Sequence, residues 1–167
     1  MKLEELNALS PEKAREEFAR CCGAARWARA MTLSRPFASK AQVLEKADEA
    51  WALAEEKDWL EAFAHHPRIG GKDAFRAKFA STTAWAQGEQ AKVASADEAT
   101  LDALAKGNAD YEARFGFIFI VCATGKTAPE MLALLQARLP NQRGPELEIA
   151  AAEQHKITKI RLEKLLT

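Results

Sequence analysis

The sequence predicts an all-α fold: a single-domain helical bundle of about eight to ten helices occupying residues 1–167. Two observations carry that prediction. Alanine occurs 35 times against 3 valines and 6 isoleucines, and alanine has the best helix propensity whereas β-branched residues favour sheets. Helix start and stop signals also recur along the whole chain. No internal repeat, low-complexity linker or break in composition divides the chain, and 167 residues are enough for one domain with a sizeable core.

Taken in order, Ser10-Pro11-Glu12 supplies an N-cap, a first-turn proline and an acidic residue ahead of a helix over residues 13–20. Gly23 interrupts the chain before a short helix over 24–31. Arg35 precedes Pro36 and must be non-helical, and Ser39 then caps a long helix expected to reach about residue 57. Its Val43, Leu44, Ala47, Ala50, Trp51 and Ala54 recur at three and four, a stripe for the core. Asp58 is the expected cap of a helix over 59–64. The run His65-His66-Pro67-Arg68-Ile69-Gly70-Gly71 breaks the pattern, because proline pushes His66 towards extended geometry and paired glycines permit a tight turn. Helices resume over about 73–79, 83–93 and 98–121. After Gly125-Lys126, Thr127 is placed as an N-cap with Pro129 in the first turn, and a helix over 131–139 ends at Pro140. Gly144-Pro145 opens the last helix, where Leu147, Ala150, Ala151, Gln154, Ile157, Ile160, Arg161 and Leu165 keep helical spacing.

One stretch resists this pattern. Phe115-Gly116-Phe117-Ile118-Phe119-Ile120-Val121-Cys122-Ala123 is aromatic and β-branched, like a buried strand, yet no partner strand is expected elsewhere. It reads as a buried helix end running into an extended or loop segment. Its backbone N–H and C=O groups then need partners, supplied by a bound ligand or by nearby side chains and water.

Charge excludes several function classes. Lys and Arg number 24 and Asp and Glu number 24, so the formal charge is zero, without the cationic surplus that phosphate neutralisation requires. Nucleic acid is therefore not an expected partner. Nor is a membrane, since no stretch approaches about 18 uncharged apolar residues. Met1-Lys2-Leu3-Glu4-Glu5 carries no signal-peptide core and Leu165-Leu166-Thr167 is no peroxisomal tag, so the expectation is a cytoplasmic protein. Cys21, Cys22 and Cys122, an odd count without metal-like spacing, fit a reducing compartment and read as small hydrophobes at the core. A nucleophilic Cys122 is disfavoured by the apolar run around it. No set of convergent ligands at metal-binding spacing is visible.

Three groups remain as candidates for chemistry. His66 is held by Pro67 at a helix terminus beside a flexible turn, a place for a general acid or, equally, for an ordinary polar residue in a surface loop. His65 fits a helix C-terminus, favoured by the dipole, and His155 sits mid-helix. Glu89-Gln90 offers an acceptor and an amide to a polar ligand, or simply a solvated face. Arg161, between Ile160 and Leu162, either clamps a carboxylate with its bidentate fork or covers the core with its stem. Gly70-Gly71-Lys72 and Gly125-Lys126-Thr127 lack the full spacing of a phosphate loop, so nucleotide binding is rejected. A non-enzymatic helical interaction module would leave His66, Glu89 and Arg161 scattered and solvated.

The order Cys21-Cys22-Gly23, Trp27, Met31, Arg35-Pro36-Phe37, Ala47-Asp48-Glu49-Ala50-Trp51, His66-Pro67-Arg68-Ile69-Gly70, Glu89-Gln90, Tyr111 with Phe115-Gly116-Phe117, and Ile160-Arg161-Leu162 resembles the OHCU decarboxylase family. The resemblance covers nearly the whole chain, and its specificity lies in the joint order of modest motifs. It implies cofactor-free decarboxylation of 2-oxo-4-hydroxy-4-carboxy-5-ureidoimidazoline, an anionic small-molecule substrate, to (S)-allantoin in urate breakdown, and by analogy a homodimer. His66 is then implied as catalytic acid/base and Glu89 as its catalytic companion. Pro67, Gln90, Arg161 and the run Phe119, Ile120, Val121, Cys122 and Ala123 are implied as substrate-binding, the run largely through its backbone. Two departures stand out: Ala86 where the family often has serine, which removes one hydroxyl contact, and Ile118 where many relatives carry proline.

Overall fold

A computed structural model describes residues 1–67 and 98–167, and every regular element among them is an α-helix. They are α1 (Leu3–Ala8), α2 (Pro11–Cys21), α3 (Ala25–Leu33), α4 (Lys40–Ala52), α5 (Glu56–Ala64), α6 (Glu98–Phe115), α7 (Ala128–Arg138) and α8 (Arg143–Leu165). The all-α class is therefore as expected. The helices expected over 73–79 and 83–93, together with Ala86, Glu89 and Gln90, lie outside the described residues. The chain divides into two compact units, Met1–His66 with Ala150–Thr167, and Pro67–Ile149.

In the first unit the caps act as the sequence indicates. Ser10 Oγ accepts from the Lys13 N–H at 3.3 Å, and Ser39 Oγ from the Gln42 N–H at 3.1 Å, each satisfying a donor the helix itself cannot. Helix α1 has no counterpart in the sequence pattern. It is a single short piece, closed by the Lys2 N–H donating to Glu5 at 2.7 Å and anchored by the buried Leu6. Helix α4 ends at Ala52 instead of near residue 57. The reason is a second start signal: Glu55 is the N-cap of α5, and Asp58 acts three residues inside that helix, accepting from the Glu55 N–H at 2.9 Å.

Helices α2, α4 and α5 all pack on α3. Phe18 meets Trp27 and Phe37 edge-on, at centroid separations of 6.2 and 6.3 Å, the arrangement aromatic quadrupoles favour. Trp27, Met31, Val43, Ala47, Phe63 and Leu162 complete this core. The Arg35–Pro36 peptide is cis. It follows α3 in a turn where Arg35 Nη1 donates to the Leu6 and Leu9 carbonyls, both at 2.8 Å.

In the second unit α6 packs on α7, and Gly107 makes room for Leu135, whose side chain occupies the place a Cβ would take. Helix α6 stops at Phe115 and does not run on to 121. Gly116 adopts φ 82°, the left-handed conformation that closes helices at glycine. Residues 116–127 are then irregular until Thr127 Oγ1 accepts from the Glu130 N–H at 3.3 Å and opens α7.

Candidate active site

The first unit positions His66 by a chain of small steric decisions. Cys22 and Gly23 leave α2, and a Cβ at Gly23 would fall inside the ring of His65. That missing side chain lets the end of α5 close in. His65 becomes the C-cap of α5, with Nδ1 at 3.1 Å from the Glu61 carbonyl, as its helix-terminal role requires. His66 follows immediately, half-buried, with Pro67 exposed beyond it.

His66 Nε2 lies 2.5 Å from Oε1 of Gln154 on α8. Gln154 Nε2 donates to Thr158 Oγ1 at 3.2 Å, and the Thr158 hydroxyl donates back to the Gln154 carbonyl at 3.0 Å. Gln154 and Thr158 are both buried. Burial pushes the Cys22 thiol up to about 11, against the opposing influence of the Ala24 backbone first, then of Thr158 and Arg161. Cys21 is likewise pushed up to about 11, by burial first. Both are inert thiols at neutral pH, in keeping with their expected place in the core. Gln154, Thr158 and Arg161 stand at i, i+4 and i+7 on one face of α8, spanning about 10 Å. Arg161 is half-buried and its Nη1 donates to the Cys21 carbonyl at the end of α2, at 3.4 Å. Among the described residues it has no carboxylate partner.

His155 points elsewhere. It pairs with Asp48 at 2.6 Å and stacks on Trp51, so it belongs to a surface ion pair that Lys159 joins at 3.2 Å.

The second unit holds the segment containing Phe119, Ile120, Val121, Cys122 and Ala123. Three of its carbonyls are paired by side chains and turns: Arg138 Nη1 donates to Ile120 at 2.7 Å, Lys126 Nζ to Cys122 at 2.6 Å, and the Lys126 N–H to Ala123 at 3.1 Å. Arg138 also lies over the Phe119 ring, 4.6 Å from its centroid. This guanidinium is itself buried and held by Glu146, whose Oε1 receives Arg138 Nε at 2.7 Å, Nη2 at 2.6 Å and the Tyr111 hydroxyl at 2.5 Å. Asn141 Nδ2 donates to the other oxygen at 3.0 Å. Burial and the Glu146 hydrogen bond both push the Tyr111 phenol far up, so it stays a donor.

Of the residues expected at a site, His66 and Arg161 make polar contacts in the first unit and Ile120, Cys122 and Ala123 accept hydrogen bonds in the second, while Gln154, Thr158, Arg138, Glu146 and Tyr111, which the sequence does not single out as polar partners, join them in these networks. No local signal marks them: Glu146, Gln154 and Thr158 are all buried on α8, at spacings that a solvated face would show equally well. Among the described residues no group of three or more His, Cys, Asp or Glu converges as a metal site, and no helix is long and apolar enough to cross a membrane.

A family model for OHCU decarboxylases matches residues 7–163. The chain is 38% identical over 161 residues to the uric acid degradation bifunctional protein TTL of Arabidopsis thaliana, covering 95% of this chain and 49% of that protein. It is 31% identical to the 2-oxo-4-hydroxy-4-carboxy-5-ureidoimidazoline decarboxylase of Amia calva, covering 99% of this chain and 95% of that enzyme. A crystal structure of an OHCU decarboxylase in the presence of (S)-allantoin superposes with a TM-score of 0.72 at 38% identity, covering 90% of this chain and 97% of the other. This chain belongs to the OHCU decarboxylase family. It spans about half the length of the bifunctional Arabidopsis protein and nearly all of the Amia calva decarboxylase.

Proposed function

We propose that this family member decarboxylates 2-oxo-4-hydroxy-4-carboxy-5-ureidoimidazoline to (S)-allantoin in urate degradation, with His66 as the catalytic acid/base. The observation that carries the role of His66 is its half-buried imidazole, tied at Nε2 to Gln154 in a helix face that also bears Arg161. Breaking the bond between C4 and its carboxylate leaves an electron pair on C4. The adjacent imidazoline C=N and carbonyl system delocalises that pair, and a proton then closes the reaction. An imidazole titrating near neutrality suits this chemistry, since it polarises the 4-hydroxyl and carboxylate region and takes part in the proton transfer. Arg161 binds the substrate anion through the part of its fork not used on the Cys21 carbonyl. Glu89, with Gln90 beside it, holds the ring or ureido N–H groups and helps orient His66. Pro67 shapes the approach to the ring. Phe119, Ile120, Val121, Cys122 and Ala123 meet the substrate largely through their backbone. With one face of the carbanion presented to the proton, a single enantiomer results.

The same reading takes residues 1–167 as one OHCU decarboxylase-like domain, supported by the family match over 7–163. It also takes the protein as cytoplasmic, supported by three free cysteines, and as a homodimer, supported by family analogy. Sedimentation at micromolar protein tests the dimer; a monomer at that concentration overturns it. For the chemistry, substrate is generated freshly from 5-hydroxyisourate and the hydrolase that opens it, and its disappearance is followed spectroscopically. His66→Ala, with its helical circular dichroism intact, lowers kcat by about 100-fold or more. Near-normal turnover in that variant removes His66 from the mechanism.

A further inference from the structure

Beyond the catalytic imidazole lies a buried relay in which every donor has an acceptor. Thr158 has one hydroxyl proton and two acceptor sites. The proton goes to the Gln154 main-chain carbonyl, one turn earlier on α8, at 3.0 Å. That leaves Thr158 Oγ1 as an acceptor, and the group facing it at 3.2 Å is the Gln154 side-chain amide, which must therefore present its NH2 there. With its nitrogen committed to Thr158, Gln154 has only Oε1 to offer His66. An oxygen acceptor 2.5 Å from Nε2 requires a hydrogen on Nε2.

We infer that Gln154, oriented by Thr158, is a positioning residue that holds His66 in its Nε2–H tautomer. The inference rests on the proposed catalytic role of His66. Gln154 itself touches neither substrate nor reacting atoms. It acts by removing the choice between two tautomers and by fixing ring rotation about χ2, without introducing a charge. A neutral amide suits that role better than a carboxylate, which would stabilise the imidazolium and draw the proton away from substrate. The relay also explains a glutamine buried in a helix stripe of Leu and Ala: each of its polar side-chain atoms has a partner.

The test is nitrogen NMR on the full chain labelled with 15N-histidine, read at a pH where His66 is neutral. In the unaltered protein the His66 ring shows Nε2 protonated and Nδ1 unprotonated. Gln154→Leu, which keeps the volume but not the acceptor, gives the averaged shifts of exchanging tautomers and lowers kcat by up to about 100-fold with KM nearly unchanged. Thr158→Val, a variant of the same shape, frees the Gln154 amide to rotate and moves the shifts in the same direction by less. Gln154→Glu keeps an acceptor and restores the Nε2–H form of the neutral ring, which a merely space-filling role for residue 154 would not do. A protonated Nδ1 in the unaltered protein, or unchanged His66 shifts in Gln154→Leu, overturns the inference. Should His66→Asn retain full activity while those shifts behave as described, the catalytic reading fails and the relay stands as a structural one only.

Discussion

Two buried polar networks among the described residues differ in how they end. In the second unit, Arg138, Glu146, Tyr111 and Asn141 close on one another, and their outward reach is to a main-chain carbonyl, that of Ile120. In the first unit, Thr158 and Gln154 run in a line and end on His66, a half-buried imidazole. The closed network contains a full ion pair with its donors satisfied, and its effect is to hold the irregular segment after Gly116 in one conformation. The open network contains no net charge before it reaches the histidine. A charge-rich closed cluster fixes backbone, whereas a neutral open one delivers a titratable group to solvent in a defined orientation.

That contrast can be broken at either end. The largest stability effect is expected from Arg138→Met, which leaves Glu146 buried without its cation; a loss of about 3–5 kcal/mol is expected in chemical unfolding followed by circular dichroism. A loss under about 1 kcal/mol would mean the closed network is not what holds its unit together. In the first unit the corresponding stress is alkaline pH. Both thiols stay protonated in the fold until about 11, against a usual value of 9.0, so between those values the unfolded chain releases protons that the folded one keeps. Stability therefore falls as pH rises from 9 towards 11, by about 2–3 kcal/mol for each thiol. Cys22→Ala should flatten that fall, and an unchanged slope in Cys22→Ala would contradict the burial assigned to Cys22.

Smaller effects probe how His66 is brought to its place. Gly23→Ala drives a methyl group into the His65 ring, with an expected cost of about 1–3 kcal/mol and lower turnover, since the residue after His65 is the one proposed as catalytic. Thermal unfolding and kcat measured on the same sample check both. The smallest effect is expected at the surface: Asp48→Asn loses the contacts with His155 and Lys159, yet Asp48 is exposed, so the change should stay within about 0.5 kcal/mol. This pair holds the Asp48 carboxyl below its usual range, through His155 first, and what it contributes fades as acidification protonates Asp48.

Much of the fold is legible in the chain itself. Ser10-Pro11, Ser39 and Thr127-Ala128-Pro129 are start signals whose chemistry is local, and each caps the helix expected to follow it. The stops are harder. The stripe from Val43 to Ala54 keeps its spacing past the true end of α4, because nothing in Leu53-Ala54 breaks a helix; Glu55 and Asp58 begin a new one instead. Likewise, the aromatic run after Phe115 hides the single left-handed glycine that ends α6. His66 is legible because Pro67 breaks the pattern beside it. Gln154 and Thr158 are not, since a polar residue at helical spacing looks the same whether it faces water or a buried partner far away in sequence. Arg138 is hidden for the same reason: only the fold brings the Ile120 carbonyl and Glu146 to it.

The most direct test of the central claim is the handedness of the product. Substrate generated in situ is turned over by the unaltered protein and by His66→Asn, and the allantoin formed is followed by circular dichroism against the spontaneous reaction. The expected result is (S)-allantoin formed well above the spontaneous rate by the unaltered protein, and racemic product at the spontaneous rate with His66→Asn. Rapid formation of (S)-allantoin by a folded His66→Asn protein would contradict it.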